Sequence, residues 1–164
     1  MSYMRMAIFS VVACALMLSG CATTADRQQE KARVAAQVEQ ALTDRAYVID
    51  INMMYPQRGR AVNVTGNYSL EIRNDSLSSY LPFFGRAYNV PYGGGKGLNF
   101  SAPLRRYAAT RAKADMTRVM AEVENDEGSY VYQIEVFDNG NATIYLQSRE
   151  REPISYNGKI KLKE

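Results

Sequence analysis

The feature that most limits how this chain can fold is an alternation of apolar and polar residues, which begins at Tyr47 and returns several times before the C-terminus. Successive side chains of a β-strand point to opposite faces, so such alternation predicts strands with one buried face. The alternating runs are residues 47–53, 62–64, 68–72, 119–123, 130–136, 142–146 and a last short run over 154–161. One-sided burial of this kind is typical of antiparallel sheets, and we predict an antiparallel β-meander.

Turn-forming residues separate these runs. The sequence Asp138-Asn139-Gly140 is a strong hairpin signal, and residues 125–128 also turn the chain. Gly66 and Asn67 predict a further hairpin, which would join the runs 62–64 and 68–72. Residues 105–116 are ambiguous because their alanines suit a helix, whereas their place between hairpins favours a strand. We predict a strand there.

Residues 25–43 predict one amphipathic helix ahead of the sheet. Val34, Val38, Ala41 and Leu42 recur at helical spacing with polar residues between them. The predicted fold class is therefore α+β, with an N-terminal amphipathic helix followed by an antiparallel β-meander in a single domain over residues 25–164. The pattern leaves open whether the sheet stays open or curls toward a half-barrel.

The start of the chain has a separate character. Arg5 supplies a short basic region, residues 6–18 are apolar, and Leu18-Ser19-Gly20-Cys21 closes the segment. This ending resembles the lipobox of bacterial lipoproteins, whose cysteine receives the lipid. The apolar core is shorter than the roughly 20 residues of a spanning helix. We predict a signal peptide over residues 1–20, lipidation of Cys21 and a short lipidated N-terminus over residues 21–24.

The lipobox resemblance implies a location. Acyl chains on Cys21 would hold the protein on a membrane, since each buried methylene contributes about 0.8 kcal/mol. Ala22 follows the cysteine, where an aspartate often marks retention at the inner membrane, so the outer membrane is favoured. No dense acidic run follows Cys21, which favours the periplasmic side over the cell surface.

Composition excludes several function classes. The chain has no histidine, and its two cysteines are Cys14, inside the signal segment, and Cys21. Imidazole and thiolate are the usual zinc ligands and catalytic nucleophile partners, so we expect no metal, no cofactor and no enzymatic activity. The net charge of +3 falls to +2 when Arg5 leaves with the signal peptide, which is too small a bias to predict a nucleic-acid partner.

The densest carboxylates lie in one predicted strand and the turn after it. Glu122 and Glu124 would share a strand face about 7 Å apart, a separation that some glycoside hydrolases use. A solvated strand end is the favoured interpretation, and a carboxylate-based hydrolase ranks third among the functions. The nearby cations Arg105, Arg106, Arg111, Lys113 and Arg118 could face anionic lipid, but a solvated strand face is again favoured.

Residues 80–100 have a different texture, with two prolines, five glycines and six aromatic residues. Such a segment cannot form long regular structure, so its aromatic side chains either pack on the domain or form a binding surface. The predicted surface for a ligand, glycan or envelope protein partner consists of Phe83, Phe84, Arg86, Tyr88 and Tyr92. The favoured alternative is that Phe83 and Phe84 plug one end of the sheet.

Two further hypotheses concern a pocket and a modification site. If the sheet curls round a pocket, Tyr132, Phe83 and Tyr88 would line it, and the protein would bind a small ligand such as a glycan, peptide or lipid. The triplet Asp75-Ser76-Leu77 resembles an O-glycan acceptor of some bacterial envelope proteins, which implies glycosylation of Ser76.

Several blocks of the chain resemble one family. The block Leu81-Pro82-Phe83-Phe84-Gly85-Arg86-Ala87-Tyr88, together with Tyr92-Gly93-Gly94, is similar to the domain of unknown function 4251. The turn Asp138-Asn139-Gly140-Asn141-Ala142 and the ending Ile154-Ser155-Tyr156-Asn157-Gly158 resemble it too. The resemblance runs from about Ala41 to the C-terminus. It implies a small envelope lipoprotein of Gram-negative bacteria, and it brings no activity or catalytic residue.

Overall fold

A computed structural model describes residues 22–88 and 97–162. They form one helix, α1, and nine strands. The elements are α1 Ala22–Thr43, β1 Ala46–Pro56, β2 Val62–Asn63, β3 Ser69–Arg73, β4 Ser76–Leu81, β5 Leu98–Lys113, β6 Met116–Asn125, β7 Gly128–Phe137, β8 Asn141–Ser148 and β9 Ile154–Ile160. The predicted order of a helix followed by antiparallel strands is confirmed.

The sheet closes on itself. Strands β3 to β9 pair with their sequence neighbours, and β1 pairs with β3 through residues 46–50 and with β9 through residues 49–56. The result is an eight-stranded closed barrel of antiparallel strands, and β2 is an extra strand beside Met53 and Met54. The sheet therefore forms a closed barrel and not the half-barrel considered from the sequence, because β1 pairs with another strand along both of its edges.

The predicted inward sets fill the barrel. On β7 the buried residues are Tyr130, Tyr132, Ile134 and Val136, as the alternation predicts. On β6 they include Val119, Ala121 and Val123, and on β8 they are Ala142, Ile144 and Leu146. Eight strands enclose a space just wide enough for side chains to fill. The alternation thus marks the apolar core of a barrel, and not one face of an open sheet.

The described residues belong to two compact units that divide between Arg33 and Val34, within α1. In the first unit, Arg33 and Glu30 form an ion pair one turn apart. In the second, Val38 and Leu42 are buried in the barrel core, and Val34 and Ala41 pack against it, which confirms the predicted apolar stripe. Over residues 22–88 and 97–162, no helix is long and apolar enough to cross a bilayer.

The second half of α1 is joined to the barrel through the partly buried Tyr107, which contacts the buried Tyr47. The Tyr107 hydroxyl donates to the Leu42 carbonyl at 3.2 Å and lies 3.4 Å from the Tyr47 hydroxyl. Burial raises the pKa of both phenols. Arg45, at φ 49°, then turns the chain from the helix into β1, and its guanidinium lies over the Tyr107 ring.

One predicted hairpin is wrong. Residues 62–63 pair with β1, and β3 pairs with β1 and β4, so Gly66 and Asn67 do not connect two partnered strands. The favoured two-residue hairpin turns need positive φ at the first central residue or at both, and neither Gly66 nor Asn67 has a positive φ. The sequence reasoning also missed β4, which follows a turn at Asn74, φ 53°, and begins with the exposed Ser76.

Three other local predictions are confirmed. Residues 105–113 belong to β5 and Met116 begins β6, so the ambiguous segment is strand. The turn over residues 125–128 joins β6 to β7, and Gly140, at φ 83°, closes the turn between β7 and β8. The predicted signal peptide, Cys21 and Tyr92 lie outside the described residues.

The antiparallel topology gives the barrel two different ends. The helix end holds the start of β1 and the hairpins β3–β4, β5–β6 and β7–β8. The loop end holds the connections β1–β2, β4–β5, β6–β7 and β8–β9. The aromatic, glycine-rich segment connects β4 to β5, so its described residues lie at the loop end.

Candidate functional site

The loop end is built from two connections that run alongside each other. The Tyr88 amide donates to the Glu150 carbonyl at 2.7 Å, and the Glu152 amide donates to the Arg86 carbonyl at 2.9 Å. Ala87 and Arg151 form an isolated antiparallel bridge between these bonds. The segment after Phe84 is therefore held to the β8–β9 connection by backbone hydrogen bonds.

The aromatic residues of this segment divide into two groups. Phe83 is half-buried and packs against the barrel core, whereas Phe84 and Tyr88 are each 63% exposed. Arg86, between them, is also exposed. The plug predicted for both phenylalanines is thus right for Phe83 and wrong for Phe84. We call Phe84, Arg86 and Tyr88 the aromatic rim.

A buried ion pair lies beneath the aromatic rim. Arg151 Nη2 is 2.9 Å from Glu127 Oε2, and the two side chains are only 8% and 6% exposed. The Arg151 guanidinium also lies over the Phe83 ring, 5.5 Å from its centroid. Asn125 Nδ2 and the Tyr130 hydroxyl are buried without a hydrogen-bond partner in the part of the chain that the structure describes. This end of the core is therefore polar.

A second buried carboxylate positions the backbone of the rim. Glu152, 6% exposed, accepts a hydrogen bond from the Arg86 amide at 3.2 Å and lies 3.7 Å from the Arg58 guanidinium. Gly85 allows this approach, because a Cβ there would come within 2.9 Å of the Phe83 ring and 3.4 Å of the Glu152 carboxylate. The backbone of the rim is therefore held by the Glu152 carboxylate on its buried side.

Sequence reasoning missed Arg151 and Glu152, and it placed Glu127 in a solvated cluster of carboxylates, whereas its side chain is buried. Charged residues in turns are usually solvated, and nothing local marks these three as buried. The run Arg149-Glu150-Arg151-Glu152 places four charges in a short connection, but its alternation does not distinguish the two buried residues, because Arg151 and Glu152 are consecutive.

The structure does not gather the residues of the hypothetical barrel pocket. Tyr132 is fully enclosed, and burial raises the pKa of its hydroxyl, whereas Tyr88 is 63% exposed. A cleft of about 600 Å³ lies elsewhere, outside the barrel at the helix end. Its lining comes from the second half of α1, from β1 and β3, and from Lys161 and Leu162.

The candidate carboxylates of β6 are engaged in cross-strand ion pairs. Glu122 lies 3.3 Å from Arg106, and Glu124 lies 2.5 Å from Arg105, each with a partly exposed side chain. This is the solvated strand face that the sequence favoured. Within residues 22–88 and 97–162, no three His, Cys, Asp or Glu side chains are grouped as metal ligands.

The rest of the basic cluster is also partly neutralised. Arg111 binds both carboxylate oxygens of Asp138, at 2.7 and 2.6 Å, and Arg118 lies 2.9 Å from Glu135. Together with the pairs of Arg105 and Arg106, these contacts give each of the four arginines an acidic partner, while the Arg105 and Arg106 side chains stay 67% and 69% exposed. The arginines therefore stabilise the pairing of neighbouring strands.

Comparisons with known proteins identify the family. The family model for the domain of unknown function DUF4251 matches residues 29–160. Among solved structures, the crystal structure of a DUF4251 family protein from Bacteroides eggerthii DSM 20697 matches with a TM-score of 0.63 and 15% sequence identity. The match covers 82% of this chain and 91% of that protein, and it shows the same fold. A search of curated proteins gave no match. The chain thus belongs to the DUF4251 family.

Proposed function

We propose that this protein is a lipid-anchored, non-enzymatic binding module of the cell envelope. Acyl chains on Cys21 hold it to the outer membrane, on the periplasmic side, after removal of residues 1–20. The barrel then presents the aromatic rim to an envelope protein or a glycan. The lipobox sequence supports the anchor, and the geometry of the loop end supports the binding role.

The observation that carries the binding role is the exposure of Phe84 and Tyr88, each 63%, on a segment held from below. Exposed aromatic side chains combine a large contact area with a small loss of conformational entropy, and they are enriched at interfaces. The backbone bonds to residues 150 and 152 already order the segment, so a partner need not supply that ordering free energy. Arg86, between the aromatics, adds a donor that can bind carboxylate, phosphate or hydroxyl oxygens.

The non-enzymatic part of the proposal is supported by the state of the candidate carboxylates. A general acid or a nucleophilic carboxylate must face its substrate and differ in protonation from its partner. Glu122 and Glu124 instead pair with Arg106 and Arg105 on the outer surface of the barrel. Their arrangement favours cross-strand stabilisation over hydrolysis.

Metabolic labelling with palmitate tests the anchor. Labelling of the wild-type protein in its own cells should be lost in Cys21→Ala, which should also move the protein out of the membrane fraction. Cys14→Ala is the matched control and should label normally, because Cys14 lies inside the signal peptide. Labelling that persists in Cys21→Ala would disprove lipidation at this residue.

Crosslinking from intact membranes tests the aromatic rim. The wild-type protein should capture a defined partner, and the double variant Phe84→Ala/Tyr88→Ala should lose most of it while its melting temperature stays within a few degrees. Tyr145→Ala removes a 40% exposed aromatic from the barrel wall and should retain the partner. Equal capture by both variants would show that the rim is not the binding surface.

A small-ligand binder is the second candidate, and the 600 Å³ cleft at the helix end favours it. Ligand sites usually enclose about 300–1,000 Å³ and combine apolar walls with a few polar groups. Here Ala41, Val48 and Leu162 are apolar lining residues, and Arg73 and Lys161 are polar ones. Native mass spectrometry of protein extracted from its membrane should then show a bound small molecule that Ala46→Trp excludes from the cleft.

A further inference from the structure

Strand β5 extends well beyond its partner on one side. It is 16 residues long, yet β4 pairs only with its residues 98–103. From Leu104 to Lys113 it pairs with β6 alone in the part of the chain that the structure describes. The last backbone bond on the other side runs from the Leu104 amide to the Asp75 carbonyl at 2.8 Å. Residues 105–113, which we call the overhang, thus have one unpaired edge.

The overhang is fixed and accessible. The Tyr107 hydroxyl ties its inner side to the Leu42 carbonyl, and Arg111 is held by both oxygens of Asp138. Every residue from 108 to 113 is exposed, and three of them are alanines. A row of backbone N–H and C=O groups that have no strand partner among the described residues, on an exposed and ordered edge, is a template for another strand.

Two irregularities limit how long an added strand could be. The register of the pairing between β5 and β6 shifts between Leu104 and Arg106, and again between Arg111 and Lys113. Regular pairing on this strand therefore covers residues 106–111. A short extended segment fits such a run, whereas a long sheet-to-sheet contact does not.

The charge of the overhang favours one kind of pairing strand over another. Arg105, Arg106, Arg111 and Lys113 lie on it, and it contains no acidic residue. The compensating acids belong to β6 and to the β7–β8 turn, on the side away from the free edge. Antiparallel pairing of two overhangs would bring cations close to cations across the new ladder, and like charges opposite each other destabilise a strand pair. An acidic strand would be stabilised by the same geometry.

We propose that the overhang is a strand-addition site that accepts an extended acidic peptide segment of another protein. Backbone hydrogen bonds to residues 106–111 would supply affinity, and the arginines and Lys113 would select acidic side chains. This surface is separate from the aromatic rim, which lies at the loop end, so either site can be lost without the other.

Hydrogen exchange measured by NMR with defined peptides tests the proposal. The probe is an acetylated peptide in which glutamate and valine alternate, added to the protein from residue 22 onward. The peptide should slow the hydrogen exchange of those amides of residues 106–111 that point to the unpaired edge. This protection should weaken as the salt concentration rises. The same peptide with N-methyl groups on alternate residues keeps its charge but cannot form the ladder, and it should give no protection.

Side-chain selection is tested at Thr110, an exposed residue of the overhang. Thr110→Glu should weaken binding of the glutamate–valine peptide by up to about fivefold and Thr110→Lys should not, since one cross-strand charge pair has about this effect. The proposal is overturned if the N-methylated peptide protects equally well, or if a lysine–valine peptide binds as tightly. A dimer in sedimentation experiments that protects residues 106–111 would also overturn it, in favour of self-pairing.

Discussion

Breaking the buried ion pair beneath the aromatic rim should destabilise the protein far more than breaking an exposed one. Glu127→Gln keeps the size of the side chain but removes its charge, and it leaves the Arg151 guanidinium, 8% exposed, without a counter-charge. A buried charge without a partner is penalised by the solvation that it has lost. The expected result is a loss of about 3 kcal/mol in the free energy of unfolding.

The magnitude follows from geometry and burial. At the observed 2.9 Å, the attraction between unit charges is about 6 kcal/mol at an effective dielectric constant of about 20. Desolvation of the two groups offsets part of this, and removal of one member of a buried pair costs about 3–5 kcal/mol in measured cases. A glutamine that still accepts one hydrogen bond should lie at the lower end. For a domain of this size, the melting temperature should fall by about 10 °C.

Urea unfolding followed by circular dichroism measures the effect in a double-mutant cycle. The variants are Glu127→Gln, Arg151→Met and both together, and the double variant should be more stable than additive losses predict because no charge is left unpaired. Glu122→Gln is the matched control, since its pair with Arg106 is 3.3 Å long and partly exposed. Exposed pairs contribute about 0.2–1 kcal/mol, so this control should change little.

The same variants test whether the buried ion pair also holds the backbone of the aromatic rim in place. Arg151 lies in the connection that holds residues 86–88, so the amides of Arg86 and Tyr88 should exchange faster in Glu127→Gln than in Glu122→Gln. If Glu127→Gln loses less than about 1 kcal/mol, as an exposed pair would, and leaves these amides protected, the buried pair does not support the rim.

The other predictions concern packing and pH. Gly158→Ala should prevent stable folding, judged by near-UV circular dichroism, because its Cβ would lie 2.1 Å from the Asp50 carbonyl oxygen at the seam that closes the barrel. Phe83→Ala should lower the free energy of unfolding by about 2–3 kcal/mol, since full burial of a phenylalanine is associated with about 3–5. Phe84→Ala should change it by less than about 0.5 kcal/mol, as surface substitutions do, and equal losses would contradict the division between the two rings. Burial raises the pKa of Tyr107 in the folded state. Stability is therefore complete below the unfolded tyrosine pKa of about 10 and should fall as pH rises above it, less steeply in Tyr107→Phe.

Much of the local structure could be predicted because its signals are short-range. The inward residues of β6, β7 and β8 follow from a period of two, and Val38 and Leu42 follow from a helical period. The hairpin at Gly140 follows from residues that tolerate positive φ. The prediction at Gly66 and Asn67 failed because it also used only a short-range signal. A turn signal forms a hairpin only if the two flanking strands pair with each other. Here β1 takes both β2 and β3 as partners.

The candidate site was harder to predict than the local structure, because it depends on contacts between residues that are far apart in sequence. Phe83 and Phe84 are neighbours with the same side chain, and their different burial is decided by the bond between residues 86 and 152 and by Arg151 above the Phe83 ring. Glu127 and Arg151 lie in connections between strands, where charged residues are usually solvated. They are buried because the β6–β7 and β8–β9 connections meet at one end of the barrel. Residues so far apart in sequence give no local signal of their contact.

The sequence by itself determined the class of the structure: one amphipathic helix, antiparallel strands, the side chains that point inward, and membership of the DUF4251 family through its aromatic and glycine block. These properties depend on periodicity and on motifs, which are read residue by residue. Only the tertiary structure decided that β1 and β9 close the barrel, that residues 105–113 of β5 keep one edge without a partner among the described residues, and that three charged residues are buried under an exposed aromatic rim. These features arise from the register between strands, and register is set by the fit of all eight strands together.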